Sequence, residues 1–177
     1  MSCDPVLKPL LSAEEIQRRV GELAAELQDA FRGADPIVVG VLRGAVFFHA
    51  DLVRRMQPDL RLDYLAVASY DGTDSSGEVR LLKDLDTALH GEDVILVEDI
   101  VDTGVTLQYL LRLLEARAPR RIAVCTLLSK PARRRVEVPI DYVGFEVPDR
   151  FLVGYGLDWN QRFRNLPYVA EIEEVGS

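Results

Sequence analysis

The chain has little of what several protein classes require. Its 177 residues include only two cysteines, Cys3 and Cys125, which are too few for a disulfide scaffold and too far apart for a zinc site. No apolar run approaches the roughly 18 residues of a membrane helix. Residues 1–12 lack the charged-then-apolar pattern of a secretion signal. These absences favour a reduced, cytoplasmic protein with no membrane partner.

Basic residues are also scarce. The chain has 21 Lys and Arg against 29 Asp and Glu, a formal net charge of −8. Unspecific nucleic-acid binding needs basic surface, so we expect no nucleic-acid partner. A locally positive site for a small anionic ligand remains compatible with this charge. Hydrophobic residues make up 48% of the chain, and its length predicts one globular domain over residues 1–177.

Strand patterns alternate with helix patterns along the chain. Short apolar runs typical of strands covered on both faces occur at 37–42, 94–97 and 122–128. Helical periodicity covers 12–31, where Ser12 and Glu15 form a capping-box pattern, and also 45–56 and 105–117. Further strand patterns lie at 60–69, 79–85, 142–145, 152–155 and 169–172. This alternation predicts an α/β fold with an open, mostly parallel twisted sheet flanked by helices.

Two segments follow the carboxyl ends of predicted strands, where ligands bind in open α/β sheets. One is Arg43-Gly44. The other lies in VILVEDIVDTGVTL (94–107), where a buried strand leads into Glu98 and Asp99. The turn and the start of the next helix then carry a polar set with one glycine: Asp102, Thr103, Gly104 and Thr106.

The residue types in this second segment suit a phosphorylated sugar. A helix amino end binds anions, threonine hydroxyls donate hydrogen bonds to phosphate, and glycine permits close backbone approach. The acidic pair suits ribose hydroxyls or a hard cation such as Mg²⁺. The alternative is that Asp99 and Asp102 only cap the helix. Four polar residues and a glycine at one strand-to-helix junction favour a ligand site.

The second segment resembles the phosphoribosyl-pyrophosphate (PRPP) motif of type I phosphoribosyltransferases, in which two acidic residues after a hydrophobic strand precede D-T-G-x-T. Four more segments, in the same order within 37–172, resemble hypoxanthine(-guanine) phosphoribosyltransferases of the short bacterial form. They are GVLRGAVFF, SYDGTDSSGEVRLLKDLD, LLSKPARRR and DYVGFEVPDRFLVGYGLDWNQRFRNLPYV. The resemblance implies the type I phosphoribosyltransferase fold, with a small hood subdomain formed by about residues 1–30 and 148–177.

The resemblance also implies an activity in purine salvage. Ribose 5-phosphate would pass from PRPP to N9 of hypoxanthine or guanine, giving IMP or GMP and pyrophosphate, in a homodimer or homotetramer. Two alternatives stay open: a xanthine-preferring enzyme, and a PRPP-binding regulator of transcription or RNA. The basic stretch 117–135 is the best support for the regulator, but we favour its interpretation as a solvated or oligomer-interface surface.

The resemblance assigns roles around PRPP. Asp102 is the general base that takes a proton from the purine. Glu98 and Asp99 hold the ribose, partly through Mg²⁺, and Asp158 is a further metal ligand. The 5′-phosphate is bound by Thr103, Gly104, Val105 and Thr106, where Val105 replaces the lysine of some relatives. Pyrophosphate is bound by Arg43, Gly44, Ser69, Tyr70 and Arg164, beneath a mobile loop over 69–77 that excludes water.

The resemblance assigns a second group of residues to the purine. Lys130 reads the 6-oxo group, and Phe151 stacks on the base. The main chain at Leu152 and Asp158 meets the 2-amino group of guanine. Two alternatives are purely structural: core packing for Phe151, and a salt bridge for Asp158 and Arg164. Because the guanine contacts are made by backbone, the sequence does not rank the purines.

Overall fold

The computed structural model describes residues 5–57, 59–69 and 79–173. Residues 70–77 of the predicted loop lie outside the described residues. The described elements, in chain order, are β1 (Val6–Leu11), α1 (Ala13–Ala30), β2 (Ile37–Leu42), α2 (Val46–Val53), β3 (Arg61–Ser69), β4 (Val79–Lys83), β5 (Asp93–Val101), α3 (Val105–Glu115), β6 (Arg121–Ser129), β7 (Tyr142–Glu146), β8 (Leu152–Val153) and β9 (Val169–Glu173).

A six-stranded sheet forms the centre of the molecule, in the order β4-β3-β2-β5-β6-β7. Strands β3, β2, β5, β6 and β7 are parallel, and β4 runs antiparallel to β3. The predicted open, mostly parallel α/β sheet is therefore confirmed. The parallel strands bring the segments after β2 and β5 to the same edge of the sheet, as expected for neighbouring parallel strands.

The sheet separates two hydrophobic cores. Val38 packs on one side with residues of α1 and α2, whereas its neighbour Val39 packs on the other side with residues of α3. This alternation explains why β2 is apolar at every position. Helix α1 begins as predicted, because Ser12 Oγ accepts from the Glu15 amide and the Ser12 amide donates to Glu15 Oε2 at 2.8 Å.

A second, three-stranded sheet has the order β1-β9-β8 and joins the two ends of the described chain. Strand β1 is absent from the sequence prediction, because it contains Pro9, which is unusual within a sheet. In the structure this strand exposes Val6 and Lys8. Antiparallel pairing with β9 stabilises it at the edge of this sheet. The assignment of residues 1–30 and 148–177 to one hood subdomain stays a prediction. Within that range, helix α1 packs against α2 and β7 of the central layers.

Three predicted boundaries are wrong in ways that matter for the site. Strand β5 continues to Val101, because its pairing with β6 extends through Glu98↔Thr126 and Val101↔Ser129. Glu98 and Asp99 therefore lie within the strand, and the turn is only 102–104. The predicted strand 152–155 stops at Val153, and Tyr155 has a φ of 48°. Helix α2 ends at Val53 rather than near 56.

No helix among the described residues is long and apolar enough to cross a bilayer.

Candidate functional site

A cavity of about 730 Å³ opens at the carboxyl ends of the parallel strands. It brings together thirteen residues that the sequence interpretation placed in the site: Arg43, Gly44, Glu98, Asp99, Asp102, Thr103, Gly104, Thr106, Lys130, Phe151, Leu152, Asp158 and Arg164. Val105 is the first residue of α3 and does not line this cavity. Ser69 is the last residue of β3. Distant parts of the sequence therefore meet at one edge of the sheet.

The turn after β2 lies directly against the acidic residues of β5. Gly44 follows Arg43 in this turn, and the peptide bond between Leu42 and Arg43 is cis. A Cβ atom placed on Gly44 would overlap the carboxylate of Asp99. A residue without a side chain is therefore required for the backbone of the turn to approach β5 this closely.

Glu98 and Asp99 place two carboxylates next to each other at the base of the cavity. Glu98 is only 5% exposed. Burial and the neighbouring Asp99 charge raise the pKa of Glu98 well above its ordinary value. Burial also raises the pKa of Asp99 to about 6, although hydrogen bonds from the backbone oppose this effect. Two neighbouring like charges repel each other, so a bound cation would stabilise the doubly ionised pair.

The turn 102–104 is held from the side by the segment that follows Lys130. The carbonyl oxygen of Thr103 accepts from the amides of Arg135, at 2.9 Å, and Val136, at 3.2 Å. Gly104 has a φ of 87°, and a Cβ there would lie 2.6 Å from the Val136 carbonyl oxygen. Gly104 occupies the N-cap position of α3, so neither Asp99 nor Asp102 caps this helix. The capping alternative is therefore wrong.

Asp102 lies between two cationic side chains. Lys130 Nζ is 3.7 Å from Asp102 Oδ2, and Arg133 Nε is 3.2 Å from Asp102 Oδ1. Lys130 is 5% exposed, and its amide donates to the carbonyl oxygen of Val101 at 3.0 Å. Arg133 also pairs with Asp149, with Nη1 3.5 Å from Oδ1. Asp102 and Lys130 are thus close enough to act on one bound heterocycle.

The residues assigned to the purine differ in their solvent exposure and in their ion pairs. Phe151 is 56% exposed and lines the cavity, so the core-packing alternative is wrong for this ring. Leu152 is buried in β8. Asp158 and Arg164 form a salt bridge, because Arg164 Nη2 lies 2.6 Å from Asp158 Oδ1. Both residues nevertheless line the cavity.

Sequence reasoning missed three residues at or beside the site. Arg133 and Arg135 line the cavity, and Gln161 contacts the side chains of Arg43 and Arg164 beside it. The basic cluster after Lys130 was a signal for the two arginines, although a solvated or oligomer-interface surface was the favoured interpretation. Gln161 offered no sequence signal, because a single glutamine in a polar segment is typical of a surface.

Comparison with known proteins identifies the family. A model of the phosphoribosyl transferase domain matches residues 8–160. The chain is 48% identical over 167 residues to the hypoxanthine-guanine phosphoribosyltransferase of Bacillus subtilis, covering 94% of this chain and 93% of that protein. The chain belongs to the hypoxanthine-guanine phosphoribosyltransferase family. This phosphoribosyltransferase is also 42% identical over 166 residues to the hypoxanthine phosphoribosyltransferase of Escherichia coli K12, covering 92% of this chain and 93% of that protein.

The fold of this phosphoribosyltransferase matches that of a solved relative. The crystal structure of a hypoxanthine-guanine phosphoribosyltransferase from Bacillus anthracis superposes with a TM-score of 0.89. The two chains are 42% identical, and the match covers 94% of this chain and 98% of the other. The predicted family, the type I fold and a transferase activity are thereby confirmed. The roles of individual residues stay predictions.

The carboxylates of this phosphoribosyltransferase suit a metal bound together with its substrate. Among residues 5–57, 59–69 and 79–173, no group of three or more His, Cys, Asp or Glu side chains could hold a metal by itself. Mg²⁺ is commonly bound by one or two carboxylates plus substrate phosphates. Glu98, which is buried, and Asp99, which is half-buried, fit that donor set. Asp158 is less available, because its carboxylate pairs with Arg164 and accepts from the Gln161 amide at 2.8 Å.

Proposed function

We propose that the chain transfers ribose 5-phosphate from PRPP to N9 of hypoxanthine or guanine, giving IMP or GMP and pyrophosphate in purine salvage. The observation that carries this proposal is the single cavity that holds both a sugar-phosphate site and Lys130 beside Asp102. A PRPP-binding regulator needs only the sugar-phosphate site. The cationic hydrogen-bond donor and the carboxylate beside the proposed ribose site support a purine as the second substrate.

Binding of PRPP uses three groups of residues. The 5′-phosphate lies at the amino end of α3, where Thr103, Gly104, Val105 and Thr106 offer hydroxyls, amides and the helix dipole. The ribose hydroxyls face Glu98 and Asp99. The pyrophosphate group is bound by Arg43, Gly44 and Arg164, and by Ser69 and Tyr70 according to the family resemblance.

Magnesium is proposed as the cofactor. Glu98, Asp99 and Asp158 would hold it, as the carboxylates nearest the ribose and the pyrophosphate. When bound, the ion supplies positive charge that stabilises the leaving pyrophosphate. The chain itself contributes Arg43 and Arg164 to the same end of the substrate, and both are permanently charged at neutral pH.

The purine is oriented and deprotonated by residues of two different segments. Lys130 donates a hydrogen bond to the 6-oxo group. A 6-amino group cannot accept this hydrogen bond. Phe151 stacks on the base, and the backbone at Leu152 and Asp158 faces its 2-position. Asp102 takes the proton from the purine ring as N9 bonds to the sugar. Positioning and charge stabilisation supply the rest of the rate enhancement, because the transition state resembles an oxocarbenium ion.

The ion pairs made by the basic stretch 117–135 argue against the regulatory alternative. Arg117 pairs with Asp84, Arg120 with Asp93, and Arg133 with Asp102. These acids neutralise charges that a nucleic-acid surface would need. A xanthine-preferring enzyme remains compatible with the same site, because xanthine also carries a 6-oxo group.

We also propose that the protein forms a homodimer or homotetramer in the cytoplasm. Val46 and Phe47 are 37% and 41% exposed on the helix that follows Arg43, and such apolar side chains suit a contact between subunits. Light scattering during size-exclusion chromatography measures the subunit number directly.

A purine panel tests the proposed function. Purified protein is given PRPP, Mg²⁺ and either hypoxanthine, guanine, xanthine or adenine, and nucleotide products are separated by chromatography. We expect IMP and GMP and no AMP. Product only from xanthine would favour the xanthine-preferring enzyme. Binding of PRPP without any nucleotide product would favour the regulator.

A further inference from the structure

We propose that Gln161 is a positioning residue for the pyrophosphate group, because its side-chain oxygen holds the guanidinium groups of Arg43 and Arg164 together. Gln161 Oε1 accepts from Arg43 Nη1 at 3.1 Å and from Arg164 Nη2 at 3.3 Å. The inference rests on the function proposed above, in which both arginines bind pyrophosphate. It adds a residue that the family resemblance did not assign.

Gln161 joins two arginines that come from distant parts of the chain. Arg43 lies in the turn after β2, and Arg164 lies in the connection between β8 and β9. The two guanidinium groups repel each other although Asp158 pairs with Arg164, and long side chains lose much entropy when they are fixed. A shared acceptor offsets part of both costs before the substrate arrives. The two positive charges are therefore already close together when pyrophosphate binds.

The backbone of Gln161 is itself fixed by the site. Its amide donates to Asp158 Oδ2 at 2.8 Å, and Asp158 Oδ1 pairs with Arg164. Gln161 has a φ of 63°, in the left-handed region that non-glycine residues rarely adopt. Reciprocal backbone hydrogen bonds between Trp159 and Arg162, at 3.1 and 3.0 Å, close this turn. Asp158, Gln161 and Arg164 thus form a closed ring of contacts.

Gln161 acts from behind the arginines rather than on the substrate. Arg43 and Arg164 line the 730 Å³ cavity, whereas Gln161 does not. Gln161 lines a neighbouring cavity of about 720 Å³, which the two arginines also border. The side chain therefore contacts the two cations from outside the sugar-phosphate cavity, so we assign it to positioning and not to catalysis.

A neutral amide suits this position better than a carboxylate does. The amide oxygen accepts from both guanidinium groups and adds no net charge. A glutamate would hold the same two groups more strongly but would cancel one of the positive charges that face pyrophosphate. An alanine would remove the acceptor altogether. These two substitutions therefore separate the loss of positioning from the loss of charge.

Kinetics in both directions test the proposal. Forward rates give the KM values for PRPP and hypoxanthine, and the reverse reaction of IMP with pyrophosphate gives those for pyrophosphate and IMP. For Gln161→Ala we expect about a fivefold increase in the KM for PRPP and for pyrophosphate, the size of one lost hydrogen-bonding group. Gln161→Glu should increase both further. The KM values for hypoxanthine and IMP should change less than about twofold. Gln57→Ala, at an exposed glutamine beyond α2, is the matched control.

The test depends on whether the KM values for PRPP and pyrophosphate change more than those for hypoxanthine and IMP. Unchanged KM values for PRPP and pyrophosphate in both variants would overturn the proposal, and so would equal increases for all four substrates, which indicate a structural role. If Gln161→Ala does not fold, Gln161→Glu still tests the effect of charge. If the wild type forms no IMP, the proposed function fails. Calorimetric titration of wild type and variants with pyrophosphate and Mg²⁺ then tests positioning alone: equal affinities, or no binding to the wild type, would overturn it.

Discussion

The ammonium nitrogen of Lys130 lies 3.7 Å from Oδ2 of Asp102, with Lys130 buried and Asp102 at the start of the turn that leads into α3. A purine bound between the ribose site and Phe151 would meet both groups. One offers a positive hydrogen-bond donor and the other accepts a proton. This pairing connects the sugar-phosphate site to a choice of base, and the first two predictions follow from it.

Asp102→Asn removes the group that accepts the proton and preserves its size. We expect kcat to fall by about 100-fold or more, the usual contribution of general acid–base catalysis, while the Kd for PRPP changes only a few fold. Steady-state kinetics and calorimetric titration with PRPP and Mg²⁺ measure the two quantities. A near-normal kcat would remove Asp102 as the general base.

Lys130→Ala removes the donor to the 6-oxo group. We expect kcat/KM for hypoxanthine and for guanine to fall by about tenfold or more, because a charged hydrogen bond to the substrate is lost. The Kd for PRPP should stay near that of the wild type. Unchanged kinetics with both bases would show that another residue reads the 6-oxo group.

Gly44→Ala tests the close approach between the turn after β2 and β5. The new Cβ would overlap the carboxylate of Asp99, so either the turn or the carboxylate must move. We expect the Kd for PRPP to increase by about tenfold or more, because displacement of charged groups from a binding geometry costs on the order of 1–3 kcal/mol. Calorimetric titration measures the Kd.

Gly21→Ala is the matched control for that substitution. Gly21 lies within α1, where the nearest atoms to a new Cβ belong to the Arg55 side chain at 3.9 Å. The change should leave the Kd for PRPP unaltered and stabilise the helix by up to about 1 kcal/mol. Equal PRPP affinity in the two variants would contradict the close approach described for Gly44.

Asp63 supplies a prediction about pH. Its carboxylate is buried, which by itself raises the pKa, but the Thr87 side chain and the amides of Tyr64, Asp86 and Thr87 donate to it and bring the pKa below its ordinary value. A lowered pKa contributes stability above about pH 4, the value in the unfolded chain, and this contribution is lost as the pH falls further.

Asp63→Asn should therefore lower the free energy of unfolding by about 1–3 kcal/mol at neutral pH. Urea unfolding at a series of pH values should show the difference from wild type shrinking below about pH 4. Asp59→Asn, at an exposed aspartate, should leave the free energy of unfolding nearly unchanged. A difference for Asp63→Asn that is independent of pH would contradict the role of its charge.

Much of the fold follows from local sequence patterns. The apolar run of β2 and the capping box of α1 predict those elements, because both signals come from neighbouring residues. Strand β1 could not be predicted in this way. Its pairing partner β9 lies at the other end of the chain, and Val6↔Glu173 is a contact of high sequence separation. Glu98 lies in a strand despite being acidic, because its pairing opposite Thr126 in β6 continues the ladder.

The candidate site likewise contains residues that local motifs predict and residues whose roles only the folded structure shows. The D-T-G-x-T segment and Lys130 could be found from motifs, because each is recognisable on its own. Gln161 could not, because its role comes from a contact with Arg43, which is far along the chain. The basic cluster after Lys130 indicated Arg133, but not its pairing with Asp102. Such contacts appear only when the two segments are placed at the same edge of the sheet.

The rate of IMP formation from PRPP and hypoxanthine in the presence of Mg²⁺ is the most direct test of whether Asp102 and Lys130 act together on a purine. It is measured for the wild type, Asp102→Asn and Lys130→Ala at matched concentrations. We expect steady IMP formation by the wild type, and a loss of about tenfold or more in each variant at low hypoxanthine. Tight PRPP binding by the wild type with no IMP formed would show that the protein does not catalyse the proposed transfer.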